Sequence, residues 1–186
     1  MKVTPTTLND VFIITPILYQ DERGVFFETF NEIVWRNNGL PTQFVQDNQS
    51  FSTKGVLRGL HFQTGAHAQG KLVRVIYGKV LDIAIDIRPD SSTFGQYEFF
   101  ELDGFSNTMV YIPPGFAHGF LALEDSVFSY KCTQTYHKPS ESGIVWNDHT
   151  LNIKWPISNP IISAKDLSLP TFQEILNQTE LIDISA

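Results

Sequence analysis

Cysteine is almost absent from this chain: Cys132 is the only one in 186 residues. A single thiol excludes an intramolecular disulfide framework and gives no pointer to secretion. Basic residues are also scarce, 13 Lys and Arg against 20 Asp and Glu, for a net charge of −7. That balance argues against a general nucleic-acid binder, which needs a basic face to displace phosphate counterions. No stretch approaches the ~18–20 consecutive apolar residues that span a membrane, and the opening MKVTPTTLND has no apolar run of signal-peptide type. A cytoplasmic setting with no membrane partner is expected. Repeats, low-complexity tracts and linkers are missing too, and the length suits one domain over residues 1–186.

What the chain does have is aromatic side chains: fifteen Phe, six Tyr and three Trp, 13% of the total. Such residues favour pleated surfaces. Short β-rich segments follow one another: FIITPILY (12–19), GVFFETF (24–30), TQFVQDNQSFS (43–53), GVLRGLHFQ (55–63), KLVRVIYG (71–78) and KVLDIAIDI (79–87). FGQYEFFEL (94–102), TMVYI (108–112), HGFLAL (118–123) and SVFSYKCTQTY (126–136) continue the series. Gly, Pro, Asn and Asp punctuate them at the spacing of a sandwich or barrel. Helical signals are few: NEIVWRNNG (31–39) ending at Gly39, and PTFQEILNQ (170–178) with Pro170 in the first turn. The final ELIDISA is expected to be poorly ordered. The expected fold is an all-β jelly-roll barrel with short peripheral helices.

Alternation within two strands carries further information. In KVLDIAIDI, Leu81, Ile83, Ile85 and Ile87 share one face while Asp82, Ala84 and Asp86 share the other. The carboxylate face is either solvent or the wall of a wet cavity. In SVFSYKCTQTY, Phe128, Tyr130, Cys132, Gln134 and Tyr136 point the same way if the strand stays regular, which would put the two tyrosines ~20 Å apart. Composition alone favours aromatic core for them.

GVLRGLHFQ puts Arg58 and His61 within four positions of one strand. A barrel with a His in one strand and a second in a PxGxxH turn, here Pro113 to His118, suggests a cupin. Metal-binding barrels of that type present two His at i and i+2, both facing the lumen because strand side chains alternate. Here the position two after His61 is Gln63, and the following GAHAQG supplies no Glu; His67 would serve only by an unusual route. No metal site and no cofactor are expected. A lone histidine is most often a satisfied core residue. His61, however, comes with Arg58, Lys71 and His118, more cationic chemistry than a barrel interior buries without an anion. Strict alternation sets Arg58 and His61 on opposite faces; Gly59 between them marks a bulge that would re-aim one. Asp82, Asp86 and Asp166 are all candidates to orient the His61 ring.

FVQDNQSFSTKGVLRGLHFQ, QGKLVRVIYGKVLDIAIDIRPDSSTFG, YIPPGFAHGF, YKCTQTY and ISAKD closely resemble the dTDP-4-dehydrorhamnose 3,5-epimerase family, in order from about residue 10 to 170. The resemblance implies a metal-free cupin-type barrel, a homodimer exchanging an N-terminal strand, and a dTDP-4-keto-6-deoxy-sugar substrate. It assigns His61 as base, Tyr130 as acid, Lys71 as stabiliser of the O4 oxyanion, and Asp166 as the partner of His61. It places Arg23, Glu28, Gln46, Asp47, Asn48, Arg58, His118, Tyr136, Glu141 and Lys165 around the nucleotide sugar, with Glu28 offered to either subunit's site. Phe26 and Phe27 fit core or ligand equally. Gln49 and Ala164 depart from the His and Glu common in relatives, which bears on binding detail and not on proton transfer.

The chemistry fits these residue types. A carbonyl at C4 acidifies the hydrogens on C3 and C5, and an ordinary histidine, titrating near ~6.5, accepts a proton at neutral pH. Three rivals stand beside this reading: a single-site epimerase, a non-catalytic nucleotide-sugar sensor, and a metal-dependent cupin oxygenase.

Overall fold

The computed structural model describes residues 1–177. The ELIDISA segment and the last position of PTFQEILNQ lie outside the described residues. The elements run β1 (Lys2–Pro5), β2 (Phe12–Thr15), β3 (Tyr19–Asp21), β4 (Gly24–Phe26), α1 (Glu32–Asn37), β5 (Gln46–Ser52), β6 (Leu57–Gln63) and β7 (Lys71–Tyr77). They continue as β8 (Lys79–Asp86), β9 (Tyr97–Asp103), β10 (Met109–Ile112), β11 (Phe116–Ala122), β12 (Ser126–Cys132), β13 (Glu141–Gly143), α2 (Ala164–Leu167) and α3 (Phe172–Leu176).

Two antiparallel sheets face each other as a jelly-roll barrel. One has the order β1-β2-β10-β7-β12-β5, the other β13-β6-β11-β8-β9, and β3–β4 forms a separate hairpin. The expected all-β barrel with small helices is what the chain adopts. Between the sheets lies a core of Val73, Val75, Val80, Ala84, Phe100, Val110, Phe120 and Phe128 with their neighbours. Each outer face is covered as well. Trp35 of α1 packs with Ile14, Leu72, Met109 and Tyr111 over one sheet. Phe172 and Ile175 of α3, with Ile144 and Leu151, pack on Leu60, Ile83 and Ile85 of the other. Double coverage explains why β11 is buried at all seven positions, where a one-sided strand would alternate.

Several boundaries differ from the sequence reading. SVFSYKCTQTY leaves the sheet at Cys132, so Tyr136 sits in a loop and not on the Tyr130 strand face. The helix after Pro170 begins at Phe172, because Thr171 caps it with a reciprocal Glu174 bond; Pro170 precedes the cap. β1, β13 and α2 carried no pattern strong enough to read.

The two faces of β8 resolve cleanly. Ile83, Ile85 and Ile87 belong to the outer cluster under the C-terminal segment. Asp82 and Asp86 are each fully buried, which discards the solvent reading of their face. Asp86 accepts from Arg88 Nη2 at 2.8 Å, Ser91 Oγ at 2.6 Å and Thr93 Oγ1 at 2.6 Å. Arg88 also lies over the Phe116 ring at 4.6 Å and bonds Asp10, so the cluster ties β8 to the β1–β2 connection. Burial alone would raise the Asp86 carboxyl; the Arg88, Ser91 and Thr93 bonds outweigh it and hold it below the usual range. A group depressed in this way stabilises the fold above its unfolded value and loses that contribution as pH falls. Asp86→Ala should lower the unfolding free energy by about 3 kcal/mol near neutral pH, measured by urea titration. The deficit should narrow below pH ~4, where wild type loses the same contribution.

Candidate active site

A cavity of about 540 Å³ opens between the sheets, lined among others by Arg58, His61, Lys71, His118, Tyr130 and Asp166. A second lobe of about 300 Å³ is lined by Gln46, Asn48, Gln63, Tyr136 and Glu141 with the same His61, Lys71 and Tyr130. Those three side chains are where the lobes meet. His61 comes from β6 in one sheet; Lys71 and Tyr130 come from β7 and β12 in the facing sheet.

The strand carrying His61 is broken on purpose by glycine. Gly59 has φ +122°, and pairing with β11 shifts register between His118 and Phe120. Arg58 and His61 consequently line the same cavity, as a bulge at Gly59 predicts. A Cβ on Gly59 would sit 2.7 Å from Gly119 Cα and 2.9 Å from the His118 carbonyl oxygen, so only glycine fits.

Asp166 reaches this strand because the C-terminal segment is pinned to it. Val56 and Ile161 form a parallel bridge, Leu57 N donates to Ile161 O at 2.9 Å, and Ser163 then caps α2. Asp166 Oδ1 lies 2.8 Å from His61 Nε2, and Oδ2 accepts from the Gly59 amide at 3.2 Å. Of the three aspartates open as partners of His61, Asp166 holds the position. Asp82 instead lies 2.8 Å from His118 Nε2, and Asp86 belongs to the Arg88 cluster. Burial would raise the Asp166 carboxyl, but the His61 contact and the Gly59 amide overcome it and keep it ionised. An ionised carboxylate only accepts, so His61 Nε2 carries a hydrogen, and in the neutral ring the lone pair is then on Nδ1.

Lys71 is 8% exposed, and its Nζ donates to the His61 carbonyl oxygen at 3.3 Å. Burial lowers its pKa, opposed by Cys132, Asp82 and Glu141. Burial raises the Tyr130 phenol, which keeps it a donor at neutral pH. At the rim, Glu141 accepts from Lys165 Nζ at 2.6 Å and from the Tyr136 hydroxyl at 2.9 Å. Gln46 Oε1 accepts from the Tyr136 amide at 2.7 Å. Arg58 is held by Ser52 Oγ at 2.9 Å and the Phe51 carbonyl at 3.2 Å.

Gln63, standing where a metal barrel would carry its second His, commits its amide to loops: Nε2 donates to His67 O and Oε1 accepts from His137 N. His67 stacks on His137 with ring centroids 3.9 Å apart.

Three expected binding residues are not in either lobe of this chain. Arg23 pairs with Asp21 on the exposed β3–β4 hairpin, and Glu28 accepts from Asn31. Asp47 faces outward between Gln46 and Asn48, bonded to Lys131 at 2.9 Å. Ile161, Ile162, Ser163 and Ser50 line the main cavity without having been singled out; only the Ser–x–x–Asp cap hinted at the first three.

Fold and lumen together define an acid–base enzyme built inside a jelly-roll barrel. The family described as dTDP-4-dehydrorhamnose 3,5-epimerase matches residues 5–174. The dTDP-4-dehydrorhamnose 3,5-epimerase of Methanothermobacter thermautotrophicus is 49% identical over 173 residues, 91% of this chain and 93% of its own length. The crystal structure of that enzyme from Elizabethkingia anophelis superposes with TM-score 0.89 at 47% identity, covering 94% of this chain and 97% of that one. The dTDP-6-deoxy-D-glucose-3,5-epimerase of Legionella pneumophila, in complex with dTDP-4-keto-L-rhamnose, gives TM-score 0.91 at 41% identity over 100% of this chain and 99% of that one. This chain belongs to the dTDP-4-dehydrorhamnose 3,5-epimerase family, whose members are isomerases.

The glycine break is testable by itself. Gly59→Ala should destabilise the fold by more than about 1 kcal/mol, because both the φ and the contact with Gly119 reject a side chain. Urea denaturation measures it, and Gly65→Ala, with open space around its Cβ, is the control that separates φ strain from contact.

Proposed function

We propose that this chain inverts C3 and C5 of dTDP-4-dehydro-6-deoxy-D-glucose to give dTDP-4-dehydro-L-rhamnose, in dTDP-L-rhamnose biosynthesis. The observation that carries the assignment is the opposition of the two sheets: His61 with Asp166 on one side, Lys71 and Tyr130 on the other. Inversion at carbon requires a proton to leave one face and return to the opposite one. A sugar seated where the lobes meet has His61 on one face and Tyr130 on the other.

In each half-reaction His61 Nδ1 takes the hydrogen from the carbon beside the C4 carbonyl, and the electron pair moves to O4 as an enolate. Lys71 Nζ donates to that oxygen. Tyr130 then gives its hydroxyl proton to the carbon from the far face, and the enolate collapses to the ketone. Exchange with water returns His61 and Tyr130 to their starting states. Fixed charge at a developing oxyanion in a site of low polarity contributes ~3 kcal/mol or more. Arg58 and Lys165 offset the diphosphate charge, Arg58 through its planar fork. His118, Gln46, Asn48, Tyr136 and Glu141 shape the rest of the pocket.

His61→Ala should lower turnover by about 10²–10⁴-fold, with dTDP binding by calorimetry within about threefold of wild type. Lys71→Met should cost about 10²–10³-fold in kcat. Tyr130→Phe should retain loss of the substrate hydrogen while blocking inversion. Unchanged turnover in His61→Ala would reject the assignment.

We also infer a homodimer. The β3–β4 hairpin stands apart from both sheets and exposes Tyr19, Val25 and Phe26, while its Arg23 and the nearby Glu28 are outside their own cavity. That arrangement supports their serving a partner's site. Mixing His61→Ala with Arg23→Ala chains should then recover roughly a quarter of wild-type turnover through hybrid dimers, as a twofold assembly requires. No recovery would place Arg23 in its own site or in none. Among the described residues no helix is long and apolar enough to cross a membrane. The buried free thiol of Cys132 supports a reducing, cytoplasmic setting.

A further inference from the structure

The lumen holds a second imidazole–carboxylate pair that the proton-transfer scheme does not use. His118 on β11 is the cross-strand partner of His61 on β6, and its Nε2 lies 2.8 Å from Asp82 Oδ2 on β8. Asp82 is fully buried, and its Oδ1 has no hydrogen-bond partner. A buried carboxylate with one oxygen unpartnered is costly to keep, so its remaining bond needs a reason. His118 lines the main cavity and stacks on Phe128, whose ring centroid is 6.1 Å away. The ring's plane is thus set by Phe128 and its tautomer by whatever meets Nε2.

We propose that Asp82 is a positioning residue: it fixes His118 as the neutral Nε2–H tautomer, so that His118 Nδ1 presents a lone pair to a sugar hydroxyl in the cavity. The inference rests on the epimerase reading for its ligand but not for its geometry. The charged and titratable groups sharing the lumen with this pair are Arg58 and His61 on β6, Lys71 on β7, Tyr130 and Cys132 on β12, Tyr136 in the loop after it, Glu141 on β13, and Lys165 and Asp166 on α2. Burial pushes the Asp82 carboxyl up, opposed first by His118 and then by Lys71 in the same space; as the carboxylate, Asp82 is the acceptor and His118 Nε2 the donor. Burial, the largest influence on His118, favours its neutral form. With Nδ1 an acceptor, a substrate hydroxyl has a fixed direction in which to donate, and the ring carbons beside the ketone are held against His61. A cationic or Nδ1–H imidazole would meet that hydroxyl with a donor and leave it unpaired, the kind of mismatch that costs most in a dry site.

Nitrogen-15 NMR of the wild-type protein, selectively labelled at histidine, should show His118 as neutral Nε2–H at pH 7. Asp82→Leu removes the acceptor while keeping the same branching of heavy atoms, at the cost of two methyl groups in place of two oxygens. It should lower kcat by about 10–100-fold, the range seen when the partner orienting a functional imidazole is lost, with KM within about threefold and cooperative unfolding retained. Asp82→Asn keeps one acceptor oxygen and should recover both the Nε2–H signal and most of the turnover. A wild-type His118 that is cationic or Nδ1–H at pH 7 would overturn the proposal, as would Asp82→Leu turning over within twofold of wild type. If Asp82→Leu does not fold, the wild-type tautomer decides alone. A confirmed tautomer in a protein that leaves 4-keto sugars unaltered would overturn the epimerase reading and not the role of Asp82 in fixing the ring.

Discussion

One carboxylate holds the site together. Asp166 accepts from the His61 ring with one oxygen and from the Gly59 amide with the other, so a single side chain fixes both the imidazole and the kinked backbone that presents it. Hydrogen bonds to an ionised acceptor each contribute ~1.5–3 kcal/mol, and here both converge on the strand break. The C-terminal segment earns its place over the barrel through the same contact, since the Val56–Ile161 bridge and the Ser163 cap serve to bring Asp166 there. Removing any one of these parts would loosen the other two.

The second organising constraint is electrostatic. The space between the sheets contains the Lys71 amine, two imidazoles, the carboxyl groups of Asp82 and Asp166 and the Tyr130 phenol, and each would be costly to bury charged and alone. They are tolerable because they are paired across elements: Asp166 with His61, Asp82 with His118, and Lys71 near Asp82 and Glu141. Coverage of the outer faces by α1 and the C-terminal segment fixes the strands that present these groups to the cavity.

Much of this was legible in the residues. The period-two pattern of KVLDIAIDI separated Asp82 and Asp86 from the isoleucines correctly, and Gly59 between Arg58 and His61 pointed to a break in alternation. What periodicity could not tell was which side of β8 faced inward, because both sides are buried and only tertiary coverage decides. Nor could it choose among three aspartates, since Asp166 arrives from a helix of four residues more than a hundred positions from His61. Family resemblance supplied that pairing. SVFSYKCTQTY was read as one strand because alternation continues past Cys132, whereas the Tyr136 amide bonds Gln46 and turns the chain out of the sheet. Arg23 and Glu28 match a family motif but line neither lobe of their own chain's cavity, a placement that local pattern does not foretell.

The central claim is that one lumen removes and returns a proton at both carbons flanking the ketone. Turnover of dTDP-4-dehydro-6-deoxy-D-glucose in deuterated water, followed by mass spectrometry and proton NMR of the product, tests it most directly. The account predicts one solvent deuteron at C3 and one at C5, each on the inverted centre. Label at a single carbon would make the chain a single-site epimerase, and label at neither would contradict the account altogether.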